Sequence, residues 1–249
     1  GYKELTREFG DTKKIVIAGN TAMVHMLLNK SCRTLGEYPF SSEYLGTLKT
    51  TFDKLTDAGC EPVETVLYGG ISPFIGGDIV SGLYMCDFDR QDSINMFIDL
   101  GTNAEMAIGN SSAVLVTSAA AGPAFEGGRI SCGMGSVDGA VCGADLRTGA
   151  LKTIGNKPPA GLCGTGIIEL TSELLEAGII DETGLLSDDY FVNGYRLSED
   201  IVFTQEDIRQ VQTAKSAVRS GIEALVREYG TSLDKVDTFY LAGGFAYGL

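Results

Sequence analysis

The segment Phe97-Ile98-Asp99-Leu100-Gly101-Thr102-Asn103 decides the fold. The pattern predicts an apolar strand that places Asp99 at the edge of a sheet. Gly101 then lets the backbone turn, so that successive N–H groups are expected to face outward. Thr102 and Asn103 add short polar groups at a distance that suits a phosphate. Because Mg²⁺ prefers one or two carboxylates together with phosphates, Asp99 is a candidate metal ligand and catalytic residue. The alternative is a hairpin in which Asp99 and Asn103 only make turn hydrogen bonds.

The residues around this segment extend it into a sheet. Ala104–Ile108 reads as a returning strand, Gly109-Asn110 as a hairpin turn and Ala113–Thr117 as a third strand, which together form a β-meander. Near the start of the chain, Lys14–Ala18 and Thr21–Leu28 have the pattern of a strand and a helix joined by a tight turn.

The same patterns predict the remaining elements. They are the end of a helix at residues 4–10, a helix near 47–58, a strand Thr65–Tyr68, a helix Ile79–Cys86, a Gly-rich turn Gly161–Gly166 feeding a helix Ile167–Ala177, irregular structure with short strands at 181–203, and a strand Thr238–Ala242. A long helix begins at the N-cap Thr204, with Asp207 three residues on, and ends at Gly230.

Two distant segments share one plan. Lys14–Thr21 and Thr238–Phe245 each combine an apolar strand, an Ala and a Gly-Asn or Gly-Gly turn. This echo predicts two related lobes, at residues 1–90 and 91–249, whose strands end at a shared cleft. Chance is the alternative, because an apolar strand followed by glycine is common.

Composition excludes several classes of protein. The chain has 249 residues, 44% of them hydrophobic, and a net charge of −14. That charge repels nucleic acid and anionic membranes, and no apolar run reaches about 18 residues. None of the six cysteines forms a CxxC pair, and His25 is the single histidine, so we expect reduced thiols in a cytoplasmic protein, a structural role for His25 and no zinc or iron–sulfur site in these residues.

Glycine-rich segments supply further candidates for ligand binding. The loop Ala121–Arg129 suits a phosphate or adenosine, with Glu126 as a polar contact, or is a purely structural loop. Gly164 and Thr165 precede a helix, whose N-terminal N–H groups attract anions. Without the Lys of a Walker loop, this second signal is weak.

Two charged side chains have open alternatives. Lys215 lies on the long helix away from its apolar stripe, so it either contacts a nucleotide or is a solvated surface charge. Asp78 begins the helix that follows Gly76-Gly77 and is either catalytic or a helix N-cap.

Together these segments resemble the superfamily of actin, sugar kinases, acetate kinase and heat-shock chaperone ATPases. The resemblance implies an α/β fold, actin-like or ribonuclease H-like, with two related lobes of mixed sheets flanked by helices. It also implies that Gly101, Thr102 and Asn103 hold phosphates and that Gly243 and Gly244 border adenosine. Lys215 is then expected to lie near the base of the nucleotide.

A closer resemblance rests on Gly19–Leu27, Asp99–Glu105, Ala120–Met134 and Leu241–Phe245. These segments look like the C-terminal domain of reductive activators of corrinoid proteins. That family implies ATP and Mg²⁺ as ligands, a [2Fe-2S] cluster in a separate N-terminal domain, and a corrinoid protein or corrinoid-dependent methyltransferase as the partner that is reduced from Co(II) to Co(I). It leaves a homodimer open.

Two departures from the family pattern limit this prediction. The ferredoxin domain and the first-lobe phosphate hairpin are absent from these residues, so we expect the chain, which begins at Gly1, to be a fragment with weak or no activity of its own. Two other hypotheses stay open, a small-molecule kinase with Asp78 as its base and a non-catalytic docking module.

Overall fold

The structure covers most of the chain. The computed structural model describes residues 12–56, 59 and 61–244. The predicted helix at residues 4–10, Cys60 and Phe245 lie outside the described residues. The described residues divide into two compact units, one formed by those up to Asp92 with Asn110–Thr117, and one formed by Ser93–Gly109 with those from Ser118 onward.

The first unit is a small α/β unit. Its elements are β1 (Lys14–Ile17), α1 (Thr21–Leu27), α2 (Arg33–Gly36), β2 (Leu48–Thr51), α3 (Phe52–Thr56), β3 (Glu64–Leu67) and α4 (Gly77–Met85). The strands lie in the order β1-β3-β2, with β1 parallel and β2 antiparallel to β3. Asn20 caps α1, since its side chain accepts the N–H of Met23 at 2.9 Å. The predicted strand, turn and helix at this point are confirmed.

One predicted helix in this unit is wrong over its first half. Leu48–Thr51 form a strand rather than the start of the helix expected at residues 47–58. Consecutive β-branched residues at Thr50 and Thr51 favour extended backbone, and β3 supplies the hydrogen-bonding partner that the sequence pattern does not show. The helix is limited, among the described residues, to Phe52–Thr56.

The second unit is built around the predicted meander. Its elements are β4 (Asn95–Leu100), β5 (Ala104–Gly109), the last two residues of β6 (Val114–Ala119), β7 (Ala140–Asp145), β8 (Ala150–Thr153), β9 (Gly161–Leu162), α5 (Gly164–Glu176), α6 (Asp188–Phe191), β10 (Tyr195–Arg196), β11 (Val202–Phe203), α7 (Gln205–Tyr229) and β12 (Thr238–Ala242). Four strands lie in the order β12-β4-β5-β6, with β12 parallel and β5 antiparallel to β4.

The long helix α7 has both of the ends that its sequence predicts. The Thr204 hydroxyl accepts the N–H of Asp207 at 3.2 Å, and the Asp207 carboxylate accepts the N–H of Thr204 at 2.8 Å, which completes a capping box. Gly230 ends the helix with φ at 76°, a left-handed conformation that glycine adopts without a steric penalty.

A second sheet was not predicted from the sequence. Strand β7 pairs with β8 in antiparallel and β9 in parallel orientation. The predicted turn at Gly161–Gly166 is therefore wrong except at Cys163, because Gly161 and Leu162 form β9 and the helix begins at Gly164. Glycine is required at position 161, where a Cβ would lie 2.7 Å from the Cys132 carbonyl oxygen.

The main core of the second unit lies between α5, α7 and these strands. It buries apolar side chains from both helices and from β7, β9 and β11, among them Val141, Leu162, Ile167, Leu170, Phe203 and Ile208. Each such residue contributes on the order of 1.5–3 kcal/mol through its removal from water. Among the residues that the structure describes, no helix has both the length and the apolarity needed to cross a bilayer.

Candidate functional site

The hairpin between β4 and β5 forms the centre of the candidate site. Gly101, Thr102 and Asn103 make a three-residue turn, closed by a 2.9 Å hydrogen bond from the Gly101 N–H to the Asn103 carbonyl oxygen. The Gly101 N–H is therefore used within the turn, unlike the expectation from sequence. The N–H groups of Thr102 and Asn103 donate to no acceptor among the described residues, and both residues are exposed. Two adjacent N–H donors at a turn suit an anion.

The end of β12 lies beside Asp99. Ala242 is paired with Asp99 in parallel register, and Gly243 follows with φ at 97°. A Cβ on Gly243 would lie 2.5 Å from the Leu100 carbonyl oxygen and 2.9 Å from Asp99 Oδ1, so only glycine fits. The fold thus joins two predicted segments that lie far apart in the sequence. Gly244 follows in the same turn and is exposed.

Glu105 lies directly opposite Asp99 and was missed in the sequence analysis. The two residues are cross-strand partners, so their side chains lie on the same face of the sheet. Ser118 Oγ donates a hydrogen bond to Glu105 Oε1 at 3.1 Å and fixes that carboxylate. The length of the turn was the available signal, because three residues between the strands pair position 99 with position 105.

Glu126 reaches the hairpin from the Gly-rich loop. It ends a short 3₁₀ helix, Pro123–Glu126, and its Oε2 accepts a hydrogen bond from Thr102 Oγ1. A Cβ on Gly101 would lie 3.6 Å from Glu126 Oε1, so the carboxylate lies over the turn. The structure therefore brings this predicted residue to the predicted phosphate hairpin.

A buried aspartate anchors the far part of the same loop. Asp207 is 2% exposed and accepts hydrogen bonds from Ser131 N–H and Ser131 Oγ, each at 2.6 Å. It accepts two more, from the N–H and hydroxyl of Thr204 at 2.8 and 2.7 Å. The sequence indicated Asp207 only as a capping residue, because the Ser131 contact is non-local. These bonds tie the loop to the start of α7.

A cavity of about 270 Å³ lies under the hairpin, on the side of α7. It is lined by Leu100, Phe125, Ile168, Lys215, Val218, Arg219 and Ile222. Its walls are mostly apolar, and two cationic side chains one helical turn apart belong to its lining. The structure therefore places Lys215 at a cavity, although Lys215 is itself exposed. Its contact with a nucleotide stays a prediction.

The start of α5 packs against a strand. Gly164 is buried, Thr165 is half-buried, and Cys163 at the N-cap makes no side-chain hydrogen bond to the helix. A Cβ on Gly166 would lie 2.0 Å from the Val141 carbonyl oxygen, so this glycine is needed for close packing. Ligand contacts by Gly164 and Thr165 stay predictions.

Asp78 belongs to the first unit, unlike the residues above. Gly76 holds the N-cap of α4, so the interpretation of Asp78 as the cap is wrong. A Cβ at position 76 would lie 2.6 Å from Asn20 Cα, which explains the glycine. Asp78 Oδ1 accepts the N–H of the next residue, Ile79, at 2.9 Å. A catalytic role for Asp78 stays a prediction.

His25 has the structural role predicted for it. It is fully buried, with Nδ1 2.7 Å from the Ser31 carbonyl oxygen and Nε2 2.8 Å from Ser42 Oγ. Both ring nitrogens therefore have a hydrogen-bonding partner within the first unit.

The cysteines whose state the structure describes are free thiols, as the sequence predicts. They are Cys32, Cys86, Cys132, Cys142 and Cys163. Burial, reinforced by the negative charge of Asp207, raises the pKa of the Cys132 thiol to about 11. Cys132 is therefore a protonated, weakly nucleophilic thiol near neutral pH.

This pKa predicts slow alkylation of Cys132. At pH 8 it holds on the order of a hundredfold less thiolate than an ordinary thiol with a pKa of about 8.5–9. Its reaction with iodoacetamide should accelerate about tenfold per pH unit until pH nears 11. Mass spectrometry of the labelled peptide gives the rate, with glutathione as the reference thiol. A rate that levels off near pH 9 would contradict the expected profile.

The fold and the hairpin define a class of protein, that of the ASKHA domains. Residues 93–248 match the model of the C-terminal domain of RACo, the ASKHA domain, and residues 2–91 match the model of the RACo middle region. The chain belongs to the RACo family. The resemblance and the α/β fold class predicted from the sequence are thereby confirmed.

Individual relatives agree with this assignment. The chain is similar to the "Corrinoid activation enzyme RamQ" of Eubacterium limosum, with 31% identity over 94% of this chain and 44% of that protein. It is also similar to the "[Co(II) methylated amine-specific corrinoid protein] reductase" of Methanosarcina barkeri. The identity is 28%, over 72% of this chain and 37% of that protein. A solved structure, "Reductive activator for corrinoid,iron-sulfur protein", matches with a TM-score of 0.81. The identity is 30%, and the match covers 98% of this chain and 43% of that one. The chain spans less than half the length of each relative.

Proposed function

We propose that this chain is the ATP-binding part of an iron–sulfur reductive activator, which uses ATP to drive reduction of a corrinoid protein from Co(II) to Co(I). The observation that carries the proposal is the hairpin Gly101–Asn103, which has two N–H donors without an acceptor among the described residues and is flanked by Asp99 and the close-packed Gly243. Residues 1–90 are then the remainder of a first actin-like lobe and residues 91–249 the second.

The phosphates of ATP are held by the hairpin in this proposal. The N–H groups of Thr102 and Asn103 act as donors, as at other turn-based anion sites. Asp99 and Glu105 offer two carboxylates on one face of the sheet, the donor chemistry that Mg²⁺ prefers in nucleotide sites. The residues present therefore fit the metal ion. When bound, Mg²⁺ supplies positive charge that offsets the charge of the phosphates.

The cavity beside α7 suits the adenosine part of the ligand. Its volume of about 270 Å³ lies just below the usual range for small-molecule sites, about 300–1,000 Å³. Lys215 and Arg219 add hydrogen-bond donors to a lining that is otherwise apolar. Ile168, which also lines the cavity, belongs to α5, the helix that begins with Gly164 and Thr165. Gly243 and Gly244 border the hairpin from β12.

The reducing electron comes from outside these residues in the proposed activity. We propose a [2Fe-2S] cluster in a separate domain of the whole protein, and a corrinoid protein or corrinoid-dependent methyltransferase as the acceptor. The names of the relatives, which include a corrinoid activation enzyme and a corrinoid protein reductase, support this choice. Asp78, whose carboxylate bonds to its own helix, gives no support to the kinase hypothesis.

Calorimetry of the full-length protein with ATP tests the proposal. Wild-type protein should bind Mg-ATP, and Asp99→Asn should weaken that binding about tenfold or more, because an amide lacks the charge that holds Mg²⁺. The loss should shrink when EDTA removes the metal. Asp188→Asn, an exposed site on α6, is the matched control and should leave Kd unchanged. Absence of any heat with wild-type protein would overturn the proposal.

A further inference from the structure

The hydroxyl of Thr102 is already used within the structure. It donates its proton to Glu126 Oε2, while Oε1 of the same carboxylate lies over Gly101. A hydroxyl has a single proton to donate, so Thr102 Oγ1 cannot donate to Glu126 and to a phosphate oxygen at the same time. Glu126 also carries a negative charge at the place where a phosphate would bring more.

We propose that Glu126 is a built-in competitor of the nucleotide, which holds the Thr102 hydroxyl and must release it before a phosphate binds there. The inference rests on the proposed function, since it assigns a regulatory part to the same hairpin. It predicts that Glu126 lowers the affinity for ATP, the reverse of what a direct contact to the ligand would do.

Release requires only the Glu126 side chain to rotate. The backbone on both sides is held, because Phe125 is 7% exposed within the core and a Cβ on Gly127 would collide with the main chain of Met134. Glu126 itself is exposed, and none of the ion pairs seen among the described residues includes it. Rotation therefore breaks the bond to Thr102 without disturbing the core.

The expected effect is moderate because the Thr102–Glu126 bond is exposed to solvent. Removing it with Glu126→Ala should tighten the binding of Mg-ATP to the full-length protein about three- to tenfold, as measured by calorimetry. Glu182→Ala removes an exposed carboxylate elsewhere in the same unit and should leave the affinity unchanged.

The same substitution in a Thr102→Val protein separates two effects of Glu126, its competition for the Thr102 hydroxyl and its negative charge. In a Thr102→Val protein no hydroxyl is left to compete for, so adding Glu126→Ala should change the affinity less than about twofold. Weaker or unchanged binding in Glu126→Ala alone would overturn the competitor role, and weaker binding would assign Glu126 as a direct ligand contact. If wild-type protein and all variants bind no nucleotide, the proposed function itself fails.

Discussion

Replacing Gly127 with alanine is expected to lower the free energy of unfolding by about 2–5 kcal/mol. Gly127 has a φ of 81°, and a Cβ would lie 2.5 Å from the carbonyl oxygen and 2.6 Å from the nitrogen of Met134. The left-handed conformation alone costs alanine about 1–2 kcal/mol. The collision adds about 1–3 kcal/mol, because both contacted atoms are main chain and cannot rotate away. Urea unfolding gives the difference.

Gly122 provides a matched control within the same loop. Its φ is 79°, almost the same as that of Gly127, but no atom lies within 4 Å of the position where a Cβ would be. Gly122→Ala should therefore cost only the conformational penalty of about 1–2 kcal/mol. Equal losses for the two variants would show that the contact with Met134 does not constrain the loop.

Replacing Asp207 with alanine should be similarly severe, with a loss of about 3–5 kcal/mol in the free energy of unfolding. Its carboxylate accepts four hydrogen bonds, two from Ser131 and two from Thr204, and is 2% exposed. Alanine removes the buried acceptor of the donors of Ser131 and Thr204, together with half of the capping box of α7. Thermal or urea unfolding followed by circular dichroism measures the change.

Glu206 tests whether the position or the charge of Asp207 matters. It lies in the same first turn of α7 but is exposed, and its Oε1 only accepts a bond from Gln210. Glu206→Ala should cost about 0.5 kcal/mol or less. Ser131→Ala keeps the capping box and removes one side-chain hydrogen bond to Asp207. Its loss in the free energy of unfolding should therefore lie between those of Asp207→Ala and Glu206→Ala. If Asp207→Ala were no worse than Glu206→Ala, the anchoring role would be wrong.

Local patterns in the sequence were enough to predict the first sheet and the longest helix of the second unit. Periodicity and turn residues located β4, β5 and β12, and the capping box located α7. These features depend on neighbours within a few residues, which a sequence shows directly. The hairpin at Gly101–Asn103 was found for the same reason.

The features that were missed depend on contacts between distant residues. Strand β2 was predicted as the start of a helix, and its pairing with β3 is a contact that the sequence does not show. The Asp207–Ser131 bond joins positions that share no local pattern. Glu105 was the exception, since the hairpin register alone would have placed it opposite Asp99.

The parallel pairing of β12 with β4 has a consequence for how the protein is made. Asp99 gains its neighbour Ala242 only from a strand more than a hundred residues further along the sequence, whereas its partner in β5 follows within a few residues. Two strands that are far apart in the sequence lose the entropy of loop closure before any contact between them stabilises the pair, so such strands pair slowly. During synthesis on the ribosome, the hairpin can therefore fold early, while the glycine side of the site forms only after β12 has been made.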